Sequence, residues 1–462
     1  MDVWLSLISL TEIIGSSGVG YKEHIKRTLE LSYPVIIGQL GFIMMGVVDS
    51  LMVGVLGPVP LAAASLGNSL TLLIFIVGIG VSFAVTPLVA ISVGAKKYSE
   101  CGIYFRQSLL VNVTFGLILM SVTIICSEFI VYFDQPVEVI AIAKSYTKIL
   151  GLSAIPMMLF QTYKQFIEGL SIMKPAMIIT ILANIVNGFT NWILIFGNLG
   201  FPALGLDGAG WATFSSRVFM ASGLMIYVMN KPFFKQYDVS FHFKNINKPV
   251  IKKILSLGLP SGIQYFFEVG AFAFAVIMIG WLGTDQLAAH QIAINLASIS
   301  FMVVLGLSTA GSIRVGNAVG EQNIKQIRSA GFTTIIIAIC FMAMSGIVFI
   351  IFRDILPMLY INDEIVISIA SSLLIIAALF QLSDGVQAVG IGILRGLTDI
   401  KIPTAITFIA YWVVGLPTGY FLGFNLCYDV QGVWIGLLAG LTTSAVLLTV
   451  RFNIKSKKIV SV

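Results

Sequence analysis

The chain has 462 residues, 58% of them hydrophobic and only 10% charged, with a net charge of +6. Soluble domains carry about 25% charged residues, so the composition excludes an ordinary soluble domain and points to a multi-span membrane protein. Four Cys (Cys101, Cys126, Cys340, Cys427) lie far apart without a CxxC spacing, which argues against a metal site or a disulfide framework.

In chain order, residues 1–20 are mildly apolar but lack a basic start, so residues 1–30 read as a cytoplasmic extension rather than a signal peptide. A spanning helix needs about 20 mostly apolar residues. Twelve such runs follow, at about 33–56, 66–92, 107–127, 145–167, 175–197, 207–229, 257–281, 290–313, 330–351, 367–394, 402–424 and 431–451. Helices are the expected spanning form, because lipid cannot satisfy open backbone groups. Connections are short except for a basic segment at 230–256. The predicted architecture is therefore an all-α polytopic protein. It has a six-helix lobe at 31–229, a linker loop at 230–256, a second six-helix lobe at 257–452 and a tail at 453–462.

Charge placement predicts the orientation. With the N-terminus inside, 22 of the 27 Lys and Arg fall in inner segments, and only Lys144, Lys148 and Arg353 fall in outer ones. The positive-inside rule then makes both termini and the linker cytoplasmic. The net charge is a topology signal, with no nucleic-acid partner implied. Of the 21 acids, only Asp49, Glu268 and Asp384 fall well inside spans. A carboxylate at the centre of a spanning helix costs about 3 kcal/mol. Such groups are functional candidates, set against structural carboxylates that are hydrogen-bonded or protonated by burial.

The chain also repeats itself. At one constant offset, Pro34 matches Pro260, Leu56-Gly57 matches Leu282-Gly283, Leu61-Ala62-Ala63 matches Leu287-Ala288-Ala289, and Gly80 matches Gly306. Later, EGLSIMKP (168–175) is similar to RGLTDIKIP (395–403). Six spans per repeat leave both halves in the same orientation, related by an axis along the membrane normal, which is a transporter signature.

These residues resemble a family. PVIIGQLGFIMMGVVDSLMVGVLGPVPLAAASLGNS, with Pro34, Asp49, Val53-Gly54, Leu56-Gly57 and Leu61-Ala62-Ala63, resembles the opening of multidrug and toxic compound extrusion (MATE) transporters. LGLPSGIQYFFEVGAFAF and QLSDGVQAVGIGILRGLTDIKIP resemble the seventh and tenth spans of the NorM-type bacterial branch, with Glu268 and Asp384 at their acidic positions. The resemblance implies the MATE fold, with two six-helix lobes related by pseudo-two-fold symmetry. It also implies alternating-access antiport of Na+ or H+ against drug-like, often cationic compounds. Expected with it are a monomer in the bacterial inner membrane, no cofactor beyond the coupling cation, and only lipid and small-molecule partners. One departure is the pair Asn187 and Asn191 where a related branch has a second Asp.

Depth groups the candidates. Asp49, Asn191 and Thr213 each lie six or seven residues from one end of their spans, roughly 10 Å deep at about 1.5 Å per residue. Asn184, Asn187 and Asn191 share a helix face. One carboxylate with amide and hydroxyl oxygens suits a hard monovalent cation, by analogy with oxygen-ligand sites; interhelical polar packing is the alternative. Glu268 and Asp384 share a second depth near the bilayer middle, and Na+ or H+ is expected at either set. Lys164 reads as a snorkelling side chain, and Arg217 as a partner for an unassigned carboxylate. A lipid-linked oligosaccharide flippase is the competing transporter reading, although basic cavity residues are sparse. An intramembrane enzyme is disfavoured because His24, His242 and His290 fall in predicted loops or termini, away from catalytic partners.

Overall fold

The structure, a computed structural model, describes residues 21–133, 135–239 and 246–458; of the extension expected at residues 1–30, residues 1–20 lie outside them, as does His242, and residues 22–30 already belong to the first long helix. Among the described residues, twelve helices are long and apolar enough to cross a membrane. In chain order they are α1 (Lys22–Gly54), α2 (Pro58–Gly94), α3 (Tyr98–Tyr132), α4 (Val137–Gly169), α5 (Lys174–Phe196), α6 (Leu206–Asn230), α7 (Lys248–Gly280), α8 (Thr284–Gly320), α9 (Ile324–Ile351), α10 (Glu364–Gly396), α11 (Lys401–Asn425) and α12 (Asp429–Lys458). Each contains one predicted apolar run, give or take a residue or two, and most extend beyond it. Lys248 to Ser256, read from the sequence as linker, already belong to α7. Local sequence sets several ends. Asn323 accepts from Gln326 N at 3.1 Å at the start of α9, and Asp363 accepts from Ile365 N at 2.9 Å at the start of α10. Two spans are broken, α2 at Phe83–Ala84 and α4 at Ser153.

The repeat is written into the backbone. Positive φ recurs at matched positions: Gly57 (109°) with Gly283 (125°), Lys96 (58°) with Gln322 (55°), and Ser171 (64°) with Thr398 (58°). The first pair links helices one and two of each half, where glycine reaches this region without a Cβ clash.

Two compact units form, and they are not the two sequence repeats. One comprises Met1–Ile36 and Ile263–Val462; the other comprises Ile37–Gly262. The boundaries at 36 and 262 stand at the same offset as the repeat. Each follows a proline inside a helix, Pro34 in α1 and Pro260 in α7. Proline removes one backbone hydrogen bond and clashes with the preceding turn, so each helix is weakest where it passes from one unit to the other. Inside the Ile37–Gly262 unit, α7 lies against α2 so closely that a Cβ on Gly80 would come within 2.8 Å of Gly262 N. The matched Gly306 of α8 meets α1 in the other unit, with its Cβ position 3.1 Å from Ser32 O.

The segment after α6 is docked rather than loose. Phe234 and Tyr237 of the short helix Pro232–Tyr237 are buried, with Phe166 of α4 6.4 Å from each ring. Arg106 of α3 binds Asp238 Oδ2 at 2.7 Å. Gly102 permits this approach, since a Cβ there would run into the Tyr237 carbonyl oxygen. Gly102→Val is therefore expected to displace the segment and speed tryptic cleavage after Lys235. Mass spectrometry of the digest measures this, and cleavage at the parent's rate would refute it.

In the other unit, α11 and α12 meet through two glycine stripes, Gly415, Gly419 and Gly423 against Gly432, Gly436 and Gly440. Spacing of four places each stripe on one helix face. Small residues let backbones approach where water exclusion supplies no driving force. The signal that could have found this contact is the pair of consecutive GxxxG spacings in the sequence. α11 itself contains two π-helical stretches, Ile409–Gly415 and Phe421–Asn425.

Candidate functional site

In the Ile37–Gly262 unit, α1, α5 and α6 converge on Asp49. Asn191 Nδ2 donates to Asp49 Oδ1 at 2.6 Å, and Thr213 Oγ1 donates to Oδ2 at 3.1 Å. Asn191 Nδ2 also lies 3.2 Å from Asn187 Oδ1. Asn187 and Asn191 are fully buried. Asn187 Nδ2 sits beside the carboxylate without a hydrogen bond of normal geometry, and Asn191 Oδ1 has no partner among the described residues. An amide presents either its oxygen or its nitrogen after a half-turn. The pair is thus equipped to solvate a bare carboxylate with N–H groups or to face a bound cation with oxygens.

Asn184 does not join this set. Its Nδ2 donates instead to the Thr180 carbonyl of its own helix at 2.9 Å. Arg217 stands one turn along α6 from Thr213. Its Nη1 donates to Ser153 Oγ at 2.5 Å, and its guanidinium packs 5.4 Å from the Phe75 ring centroid. It forms no direct ion pair with Asp49 but lies within electrostatic reach of it. The pairing with a carboxylate expected for Arg217 from the sequence is therefore not made.

The other unit holds Glu268 of α7 (8% exposed) and Asp384 of α10 (6%). Each feels the other's charge or a shared neighbour's, with Arg395, Tyr265 and Tyr411 also within electrostatic reach of Glu268. One turn beyond the acids, Phe272 and Phe380 meet edge to face at 6.1 Å. Residues four apart on a helix share a face, so this contact aligns Glu268 with Asp384.

Three expectations change. Lys164 does not snorkel: it is 8% exposed, lies over Phe42 at 5.6 Å and approaches Glu168 Oε1 at 3.9 Å. Glu168, 2% exposed near the end of α4, is a third buried carboxylate beside Glu268 and Asp384, whereas Asp49 is half-buried. The apolar run that suggested this span stops at 167, just short of it. His24 and His290 lie on helices rather than in loops, both buried. His24 engages Arg314 through its ring, while His290 Nδ1 accepts from Trp434 Nε1 at 3.1 Å.

Comparisons with known proteins agree with the repeat and the fold. The MatE family model matches twice, over residues 34–193 and 260–421. The two matches begin at Pro34 and Pro260, the first pair of the repeat. A probable multidrug resistance protein NorM of Mesorhizobium japonicum is 36% identical over 94% of both chains. NorM of Aliivibrio fischeri is 34% identical over 93% of this chain and 95% of that one. Multidrug resistance protein MdtK of Photorhabdus laumondii is 33% identical over 95% and 97%. Among solved structures, a MATE transporter in a bent conformation superposes with a TM-score of 0.87 at 20% identity, covering 98% of each chain. The eukaryotic MATE transporter AtDTX14 superposes with a TM-score of 0.85 at 21% identity, covering 95% of this chain and 99% of that one. A doubled family match, near-full-length relatives sharing a third of their residues and a shared twelve-helix fold lead to one conclusion: the chain belongs to the MATE family of transporters, in its NorM-type branch.

Proposed function

We infer that this protein is a multidrug efflux antiporter of the bacterial inner membrane. It exports drug-like, often cationic compounds in exchange for Na+ or H+ by alternating access, working as a monomer with both termini in the cytoplasm. The excess of Lys and Arg in alternate connections supports the orientation. The names of the NorM and MdtK relatives support the cargo class.

The observation that carries the reading is the Asp49 cluster: one carboxylate inside a span, solvated by Asn191 and Thr213 rather than paired with a base. Such a carboxylate attracts a cation strongly, because the low-dielectric surroundings leave its charge unscreened. A proton or Na+ that neutralises it changes what the surrounding amides and hydroxyl must satisfy. Coupling requires that the two conformations hold the cation unequally. Glu268 and Asp384 form a second acidic set, suited to a cationic compound or to a shared proton.

The test is ethidium efflux from proteoliposomes under separately imposed Na+ and H+ gradients. Ethidium should move under at least one gradient and stay put when both are collapsed. Absence of movement under either gradient would sink the antiport reading and favour the flippase.

A further inference from the structure

Arg217 stands in the middle of α6, eleven residues from Leu206 and thirteen from Asn230. At about 1.5 Å per residue that is roughly 16–20 Å from either end, too deep for the side chain to snorkel to water. A guanidinium is always charged, and a charge at this depth marks a functional group by default. Arg217 nevertheless makes no ion pair among the described residues. Two neutral groups hold it instead. Nη1 donates to Ser153 Oγ at 2.5 Å, and the Phe75 ring centroid lies 5.4 Å from the guanidinium carbon. Ser153 and Phe75 are both buried. Ser153 occupies the break in α4 and donates to Leu150 O at 2.5 Å. Its hydrogen is thereby committed, and a lone pair is left for the guanidinium. Tyr146, within electrostatic reach of Arg217, gives its own hydroxyl hydrogen to Asn68 Oδ1 at 3.0 Å.

Among the described residues, Asp49 is the one carboxylate within electrostatic reach of Arg217. Thr213 links the two. Its hydroxyl donates to Asp49 Oδ2 at 3.1 Å, and it precedes Arg217 by four residues, on the same helix face. Asn191 and Thr213 thus solvate the carboxylate at close range, while Ser153 and Phe75 keep the compensating charge off it. The balance differs between the empty and the loaded cluster. With Asp49 bare, the carboxylate and the guanidinium offset each other. With a cation on Asp49, two positive charges share one negative charge, and the bound cation is repelled. A direct ion pair would have filled the carboxylate. With no base nearby, the carboxylate would have held its cation too firmly. A transport site must bind well enough to load and weakly enough to release.

We propose that Arg217, held on Ser153 and Phe75, sets how tightly Asp49 holds the coupling cation, as a fixed counter-charge that repels the bound cation and speeds its release. Arg217 is a positioning residue: it acts through Asp49 and touches neither cation nor cargo. The role deepens the efflux reading and rests on it for the identity of the cation.

The test measures the half-saturation of the driving cation in purified full-length protein in two ways. One is ethidium efflux from proteoliposomes. The other is binding in nanodiscs, read with radiolabelled Na+ or as proton uptake, in a Glu268→Gln, Asp384→Asn background that silences the other acids. Arg217→Gln should lower both half-saturations about tenfold, or about 1.4 kcal/mol, while the maximal efflux rate falls. Arg217→Lys keeps the charge and should stay within about threefold of the parent. Ser153→Ala frees the guanidinium to swing onto Asp49 and should raise the half-saturation. In the residual efflux of Asp49→Asn, Arg217→Gln should change nothing further, because residues that act through one another are not additive. A guanidinium that only braces the α4 break gives a different result: an unchanged or raised half-saturation in Arg217→Gln, with a lower melting temperature. That result, an effect that persists in Asp49→Asn, or no saturable binding in the silenced background would overturn the proposal. Failure of Arg217→Gln to fold would also overturn it, by assigning the residue to packing. If the binding shifts appear while the parent moves no ethidium under either gradient, the role of Arg217 stands and the efflux reading falls.

Discussion

Asp49→Asn is expected to lower cation-driven ethidium efflux by about 100-fold, or roughly 2.7 kcal/mol, while the protein still folds. The substitution preserves shape. With its amide oxygen facing Asn191 Nδ2 and its amide nitrogen donating to a reversed Thr213 hydroxyl, the new side chain keeps both contacts, now at 2.6 and 3.1 Å, as neutral rather than charge-assisted hydrogen bonds. Such a change costs about 1 kcal/mol each. Removal of the desolvation cost of a carboxylate inside a span offsets it. The cation, by contrast, loses the only full negative charge in this cluster, and Arg217 nearby is left as an uncompensated positive charge that repels it. Graded variants separate this account from general damage. Asn191→Leu and Thr213→Ala each remove one contact to the carboxylate and should lose about tenfold. Asn184→Ala, whose amide binds the Thr180 carbonyl instead, should stay close to the parent. Efflux by Asp49→Asn within twofold of the parent would remove Asp49 from the coupling step.

The contrast between Asn184 and Asn191 shows which part of this cluster was legible. Depth along a span is nearly one-dimensional. Counting residues along each helix puts Asp49, Asn191 and Thr213 on one level, because every residue adds the same rise. The hydrogen bonds are made at that level. Azimuth is different. Asn184 shares the helix face of Asn187 and Asn191, yet it turns back to its own backbone, because which part of a face meets a neighbour depends on packing. The same division holds for the fold. Apolar runs and the constant repeat offset disclose twelve spans and two repeats. They do not disclose that α1 and α7 each divide between units just past Pro34 and Pro260, since that follows from contacts far apart in sequence. Glu168 escapes the sequence reading because the apolar run ends one residue before it, and Lys164, inside that run, reads as snorkelling because hydropathy does not tell a lipid-facing side chain from a packed one; α4 continues through Gly169 and buries both.

Gly436→Val is expected to prevent recovery of folded protein. A Cβ at Gly436 would collide with the backbone N and Cα of Gly419 and come within 2.7 Å of Gly415 O. These are main-chain atoms of a neighbouring helix, so no rotamer change relieves the overlap and α11 must move away from α12. Overpacking in a tight interior costs about 1–3 kcal/mol, occasionally more. Here the separation would also spread along the paired stripes from Gly432 to Gly440, placing the variant at the upper end. Gly46→Ala is the matched control, because nothing among the described residues lies within 4 Å of its Cβ position. It removes a glycine from a helix interior and should melt at or above the parent's temperature. Size-exclusion profiles and melting temperatures in detergent decide the matter, and a Gly436→Val protein melting within about 2 °C of the parent would refute the glycine contact.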